Sequence, residues 1–327
     1  MMMEEMAGQA QAAEMLEAAG RDPVDATVSD LGFAAGPRLN AAGRLGDMSL
    51  GIETLLTADP QRARTLAEEL DGLNRERRSL EQSMREEAVA EIEAAAADAP
   101  TDPAPILCLY SEAWHQGIVG IVAARLRERF RRPVIAFAPG EQGELKGSGR
   151  SVAGIHLRDL LEALDTRSEG ELILRFGGHA MAAGLSIRPA LFPAFRTALL
   201  TLATEWFGTN PPGEIIETDG ELAPDAFSLT NARAIRYGGP WGPGFPEPTF
   251  RGEFTIRERR IVGTRHLKLT LTPSGAPGQP LEGIAFNALD HGWEALPERV
   301  MAVYRLDINR FRGRERLQLV IDYLAAA

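Results

Sequence analysis

The chain has 327 residues, 44% hydrophobic and 25% charged, with 35 Lys and Arg against 46 Asp and Glu for a net charge of −11. That length suits two compact domains, no apolar run approaches the roughly 20 residues that span a bilayer, and acids stand where a signal peptide needs a basic start, so a cytoplasmic protein is expected. The lone cysteine, Cys108, excludes an internal disulfide and, set in the apolar run 105–110, reads as a buried core thiol.

Residues 1–20 have helix-forming, Ala-rich composition ending at Gly20 and read as a frayed lead-in. Residues 59–97 are almost free of Gly and Pro, and Leu66, Leu70, Leu73, Leu80, Met84 and Val89 recur at helical steps. They predict one long amphipathic helix of roughly 55 Å, with Gly72 the point at which it would break. A helix of that length commonly joins domains; a solvated bundle helix is the alternative.

After the Pro-rich boundary 98–105 the pattern alternates. Residues 106–110 and 133–138 read as strands, 117–130 and 157–164 as helices, and 172–176 as a strand ending in a Gly177-Gly178-His179 turn. Such alternation predicts an α/β layer with its sites at the strand ends. Residues 209–220 read as a linker. Beyond it, 250–262, 265–271, 281–286, 300–309 and 316–323 read as five strands, with Leu267, Leu269 and Leu271 alternating against Lys268 and Thr270. Five short strands suit a small barrel of the oligonucleotide-binding type. From Phe250 onward twelve Lys and Arg face nine Asp and Glu, so this segment carries +3 and the rest −14. Indiscriminate nucleic-acid binding by the whole surface is thereby disfavoured, and any positive potential is local.

The run Lys146-Gly147-Ser148-Gly149-Arg150-Ser151 carries the sharpest local chemistry. Two glycines let a backbone approach an anion, the Ser148 and Ser151 hydroxyls can donate, and Arg150 offers a forked charged donor matched to phosphate. It matches neither the nucleotide P-loop nor the dinucleotide fingerprint, and a flexible turn is the plain alternative. Residues 36–45 read as a loop presenting Arg38 and Arg44 to successive phosphates, or else making salt bridges. His115 and Gln116 open a predicted helix, where they can face an anion or serve as caps. His179 sits among small residues, free to reach a ligand or to cap the next helix; no Cys or His partner stands at zinc-site spacing.

Taken in order, residues 36–45, 114–120, 146–151, 176–184, 239–242 and 306–309 closely resemble the C-terminal half of the RecJ family, bacterial exonucleases that degrade single-stranded DNA from the 5′ end. The resemblance runs from about residue 29 to residue 324. It implies an α/β domain of the DHH-associated type preceded by a long connecting helix and followed by an all-β oligonucleotide-binding barrel. The divisions become 1–58 for an N-terminal remnant with the arginine motif, 59–98 for the helix, 99–208 for the α/β domain and 209–327 for the barrel. The family's Gly-Ser-Gly-Arg loop implies a 5′-phosphate seat at Ser148 and Arg150, joined by Arg44 or Arg38, with Arg44 favoured. His179 matches the Gly-Gly-His motif that lines the cleft. In the barrel Lys268, Arg305, Arg310, Arg312, Arg314 and Arg316 would track a single strand, while Phe311 and Tyr304 would stack bases or fill the core.

The departure concerns the metals. The family's catalysis implies two Mn2+ or Mg2+ ions held by aspartates and an Asp-His-His motif. This sequence has no Asp-His-His and no Asp-x-Asp, its five histidines are scattered, and residues 1–20 do not match the expected preceding domain. No catalytic or metal-binding residue is therefore expected in the chain, which alone would be inactive, with single-stranded DNA and a single-strand-binding protein or helicase as partners. Three readings follow: part of a RecJ-type exonuclease in DNA repair and recombination, a non-catalytic binding module served by a metal-bearing partner, or another DHH phosphodiesterase acting on short substrates. The barrel speaks against the last.

Overall fold

A computed structural model describes residues 10–98, 104–208, 215–242, 244–276, 278–311 and 313–327. The chain divides into two compact units, residues 1–214 and 215–327.

In the first unit, helix α1 (Ala10–Ala18) buries Met15 and Leu16 beside Ala35, Ala42, Ala67 and Leu70. The expected frayed lead-in is therefore, from residue 10 onward, part of a core; Leu16 is 0% exposed. The predicted loop at 36–45 is likewise a helix, α2 (Gly36–Leu45), with Pro37 in its first turn, where a missing N–H is harmless. After α3 (Ser49–Leu56) comes α4 (Pro60–Asp98), 39 residues long and unbroken at Gly72. One interior glycine costs a helix only about 1 kcal/mol, and packing at both ends offsets that. Near its start α4 buries Leu66, Ala67 and Leu70, the last two beside α1 and α2; farther on it buries Met84 and Ala88 against the α/β layer.

That layer is a five-stranded sheet ordered β1 (Leu107–Tyr110), β2 (Val134–Pro139), β3 (Leu145–Arg150), β5 (Ala182–Ile187), β4 (Arg175–Gly178). Only the β1–β2 pair is parallel. Helix α5 (Val119–Phe130) and α4 cover one face, and α6 (Leu157–Arg167) and α7 (Phe192–Phe207) cover the other. The 146–151 run, read as an anion clamp with a flexible turn as the alternative, is neither loop nor turn: residues 146–150 belong to the central strand β3 and Ser151 follows it. Its alternation of buried glycine with half-exposed Lys146, Ser148 and Arg150 lacks the large apolar residues by which a strand is normally recognised. The same poverty hid β5.

In the second unit, α8 (Leu229–Tyr237) packs on a closed barrel ordered β10 (Arg314–Ala326), β8 (Leu281–Ala285), β7 (His266–Pro273), β6 (Phe250–Val262), β9 (Arg299–Phe311). The β9–β10 pair closes the ring. Leu267, Leu269 and Leu271 all point into the core, as their alternation required. Part of the expected linker, 209–214, and part of the Pro-rich boundary, 99–103, lie outside the described residues.

Candidate functional site

The two faces of β3 do different work. A methyl added at Gly147 would lie 2.5 Å from the Phe137 ring and 2.6 Å from Leu185, and one at Gly149 would lie 2.5 Å from Leu157. These glycines therefore admit the core beneath the strand, rather than bringing backbone to an anion. Ser148 and Arg150 emerge on the opposite face, where α5 begins. There Gly120 makes the fit: a methyl on it would lie 3.0 Å from Ser148 Oγ and 3.1 Å from Arg150 Nη2. Gly117, just before the helix, passes so close to α2 that a methyl would stand 2.2 Å from the Arg44 carbonyl oxygen. Arg44 Nη1 in turn donates to the Gly117 carbonyl at 3.1 Å.

Ser148, Arg150 and Arg44 thus converge on the amino end of a twelve-residue helix that no side chain caps. The N–H groups of Ile118 and Val119 bond the His115 carbonyl and that of Ile121 bonds the Ile118 carbonyl, so what this end offers an anion is chiefly the positive pole of the helix. Arg150 Nη1 donates to Ser148 Oγ at 3.0 Å and to the Gly149 carbonyl at 2.8 Å. Among the described residues neither Arg150 nor Arg44 has a carboxylate partner, although most arginines of this acidic chain do. Partial burial, then the nearby charges of Arg44 and Arg127, hold the Arg150 guanidinium below its ordinary pKa. The positive field extends onto α4, where burial lowers the Arg77 pKa, with Glu81 opposing and Arg78, Arg44 and Arg125 adding to the fall. Arg77 and Arg125 are answered by Glu81 and Glu128, whereas half-buried Arg150 and exposed Arg44 have no carboxylate among the described residues and favour an anion between them.

The remaining sequence candidates separate clearly. Arg38, 6% exposed, donates from Nε and Nη2 to Asp71 Oδ1 at 3.1 and 2.7 Å and from Nη1 to the Ala34 carbonyl at 2.8 Å, so its guanidinium is committed to the fold. Ser151 is buried and donates to the Ile155 carbonyl at 2.7 Å, which removes it from the clamp. His115 Nδ1 accepts from the Gly117 N–H at 3.1 Å and Gln116 donates to Glu141 at 3.0 Å; both lie ahead of α5, which starts at Val119 rather than Gly117. His179 is exposed in the hairpin between β4 and β5, followed by a strand and not by a helix it could cap. Its N–H bonds the carbonyl of Ala182, the residue paired with Arg150, so it stands at the same end of the sheet as the clamp. Sequence reasoning passed over Gly117 and Gly120, although glycines flanking a helix start are a signal of close backbone approach.

On the barrel, Lys268 pairs with Glu282 at 2.9 Å, and Arg310 pairs with Glu315 at 2.8 Å while donating to the Tyr237 hydroxyl at 3.0 Å. Arg305 is held by Asp322 and Glu247, and Arg316 approaches Glu282 at 3.5 Å. Arg314 is exposed, with no ion pair among the described residues. Tyr304, a candidate for base stacking, is 1% exposed and packed among Phe227, Phe250 and Phe254, and burial raises its phenol pKa; it is core. The Phe311 side chain and Arg312 lie outside the described residues. Among the described residues no group of three or more His, Cys, Asp or Glu could hold a metal ion. The clamp itself is cationic, so the residues present do not fit a two-metal centre. No described helix is long and apolar enough to cross a membrane.

Residues 104–205 match the DHHA1 domain and residues 218–323 the RecJ OB domain. The chain is 50% identical over 311 residues to the single-stranded-DNA-specific exonuclease RecJ of Dickeya dadantii (strain 3937), covering 95% of this chain and 54% of that protein. It is 49% identical over 310 residues to the protein of the same name from Escherichia coli (strain K12), covering 94% and 53%. A crystal structure of RecJ with Mg2+ from Thermus thermophilus superposes with a TM-score of 0.76 at 30% identity, over 98% of this chain and 47% of that one. The chain thus spans about half the length of the curated relatives it matches.

Proposed function

We propose that the chain, which matches the DHHA1 and RecJ OB domains and is similar to RecJ exonucleases over about half their length, supplies the end-recognition and strand-binding part of a 5′→3′ single-stranded-DNA exonuclease acting in DNA repair and recombination in the cytoplasm. Ser148, Arg150 and Arg44 seat the terminal 5′ phosphate at the amino end of α5, and His179 stands beside them at the sheet end. The observation that carries this reading is the pair of arginines without carboxylate partners among the described residues, held at an uncapped helix start. A terminal phosphate with close to two negative charges answers that field better than an internal phosphodiester with one. Hydrolysis rests on Mn2+ or Mg2+ held by groups outside the described residues, and these residues alone bind without cutting. The lack of a ligand cluster among them also favours a second reading, a binding module whose metal centre comes from a separate partner.

The test compares single strands with a 5′ phosphate and a 5′ hydroxyl. At about 1.5–3 kcal/mol for hydrogen bonds to a charged group, the phosphate should be preferred by roughly tenfold or more. Ser148→Ala with Arg150→Ala should erase the preference. Equal affinity for both ends, or a preference that survives the double substitution, refutes the seat. Chelator-sensitive cleavage by the purified chain with Mn2+ would refute the claim that it only binds.

A further inference from the structure

Among the described residues the barrel unit leaves three large aromatic side chains mostly in solvent: Phe286 stands alone beside His266, while the other two flank one short loop. Tyr237, the last residue of α8, and Phe245, eight residues on, are each 55% exposed, and Trp241 lies between them. Several contacts tie down the described residues around them. Trp241 Nε1 donates to the Ile235 carbonyl at 2.8 Å, tying the indole to the last turn of α8. Gly242 and Phe245 exchange two backbone hydrogen bonds of 2.9 Å, and Gly244 between them has φ +83°, a conformation glycine adopts freely. The rings of Trp241 and Phe245 stack with centroids 4.8 Å apart and planes 28° from parallel. A methyl on Gly239 would lie 3.0 Å from the Phe245 ring, so that glycine makes room for the stack. The Tyr237 hydroxyl accepts from Arg310 Nη2, which joins this loop to the β9–β10 hairpin, where Arg314 is exposed and has no ion pair among the described residues.

We propose that Tyr237, Trp241 and Phe245 form the base-stacking surface of the barrel unit, with the phosphates of the same strand running along Arg310 and Arg314. The proposal rests on the single-strand reading above and names where, on the second unit, the bases go. Flat rings held with one face in water, beside cations, answer the two parts of a nucleotide: a base presents a π face to the ring and its phosphate an anion to the arginine. An apolar peptide would cover the rings and make no use of the arginines. Tyr304, the aromatic suggested by its place in a basic strand, is enclosed in the barrel and cannot reach a base.

The experiment uses the whole chain, a thymidine oligonucleotide with a 5′ hydroxyl, and an abasic strand of equal length. The hydroxyl end keeps the phosphate seat out of the comparison. Tyr237→Leu and Phe245→Leu should each weaken thymidine-strand binding about five- to tenfold and leave abasic binding unchanged. Phe245→Tyr should restore full affinity, since it keeps the ring, and the melting temperature of each variant reports whether the loop still folds. Equal affinity of the parent chain for the two strands, or no measurable binding of either, overturns the proposal. Loss of both strands in the Leu variants overturns it in favour of a structural role, and loss of neither in favour of a protein partner on these rings. If the 5′-phosphate preference is absent while the thymidine-to-abasic ratio responds to Phe245, the seat fails and this surface stands.

Discussion

Gly147→Ala separates two accounts of the 146–151 run. In one the glycine bares backbone to an anion; in the other it makes room for a core. The added methyl would lie 2.5 and 2.9 Å from two atoms of the Phe137 ring and 2.6 Å from a Leu185 methyl. Phe137 is fully buried and wedged edge-on against Phe192 and Phe195, with ring centroids 5.7 and 5.5 Å away, so it cannot turn aside cheaply. Overpacking of this kind costs about 1–3 kcal/mol, while restricting the unfolded chain returns about 0.4–1 kcal/mol. A net loss of about 1 kcal/mol should lower the melting temperature of a unit of this size by roughly 2–4 °C. Gly149→Ala should cost less, because its closest contact is one Leu157 methyl on a side chain that can change rotamer. In both variants the 5′-phosphate preference should persist, since Ser148 and Arg150 lie on the other face of β3. Thermal melts and paired binding isotherms give the answer. An unchanged melting temperature together with a lost preference would show that the glycines serve the anion, and the core argument would be wrong.

Arg38→Leu should destabilise the first unit by about 1–3 kcal/mol, because Asp71 loses its buried partner and keeps only the exposed Arg75. Combining it with Asp71→Leu should recover part of that loss in a double-mutant cycle, with the phosphate preference untouched throughout; loss of the preference in the single variant would place Arg38 in the seat after all. Burial pushes the Cys108 thiol up to about 12 from an ordinary 9.0, so the folded chain should resist alkylation at pH 8 and react only when unfolded. Because the folded pKa lies above the unfolded one, the folded state holds the proton more firmly. The stability tied to this group is therefore complete below pH 9.0 and declines as pH rises toward about 12. Rapid labelling of the native chain at pH 8 contradicts that placement.

Much of the barrel was legible because half-buried antiparallel strands advertise themselves. The strand expected at 250–262 is present as β6 over the same residues, and the Leu267, Leu269, Leu271 alternation marked an inward face. The long helix was equally plain, and its ends fell within about a residue of the expected ones. What stayed hidden were elements whose identity comes from a neighbour. The β3 strand is built of Gly, Ser, Lys and Arg and is a strand because β2 and β5 flank it. Helix α2 contains two glycines and a proline, poor helix formers, yet Ala41 and Ala42 are fully buried there. In the site, charge alone could not separate Arg38 from Arg44. The difference lies in Asp71, 33 positions away in sequence, which claims one arginine and leaves the other without a carboxylate among the described residues.

The two units present their arginines in opposite ways, and this bears on how a strand would be held. The first unit keeps half-buried Arg150 close to exposed Arg44, both away from carboxylates among the described residues, so an arriving phosphate would relieve a repulsion already present in the fold. The second unit keeps Lys268, Arg305 and Arg310 in contact with Glu282, Asp322, Glu247 and Glu315, so a phosphate there replaces a carboxylate and gains little. Electrostatics therefore favours the strand end, at the first unit, and its contribution should fall steeply with added salt. Along the barrel, where Lys268, Arg305 and Arg310 are already compensated and Arg314 alone of the candidate cations described is not, most of the affinity would have to come from a source that salt does not screen. Exposed rings such as Tyr237 and Phe245 would be such a source, and they would read any base alike because every base offers the same kind of face. On these proposals the first unit, taken by itself, would select for a terminal phosphate, and the second, taken by itself, for unstacked bases.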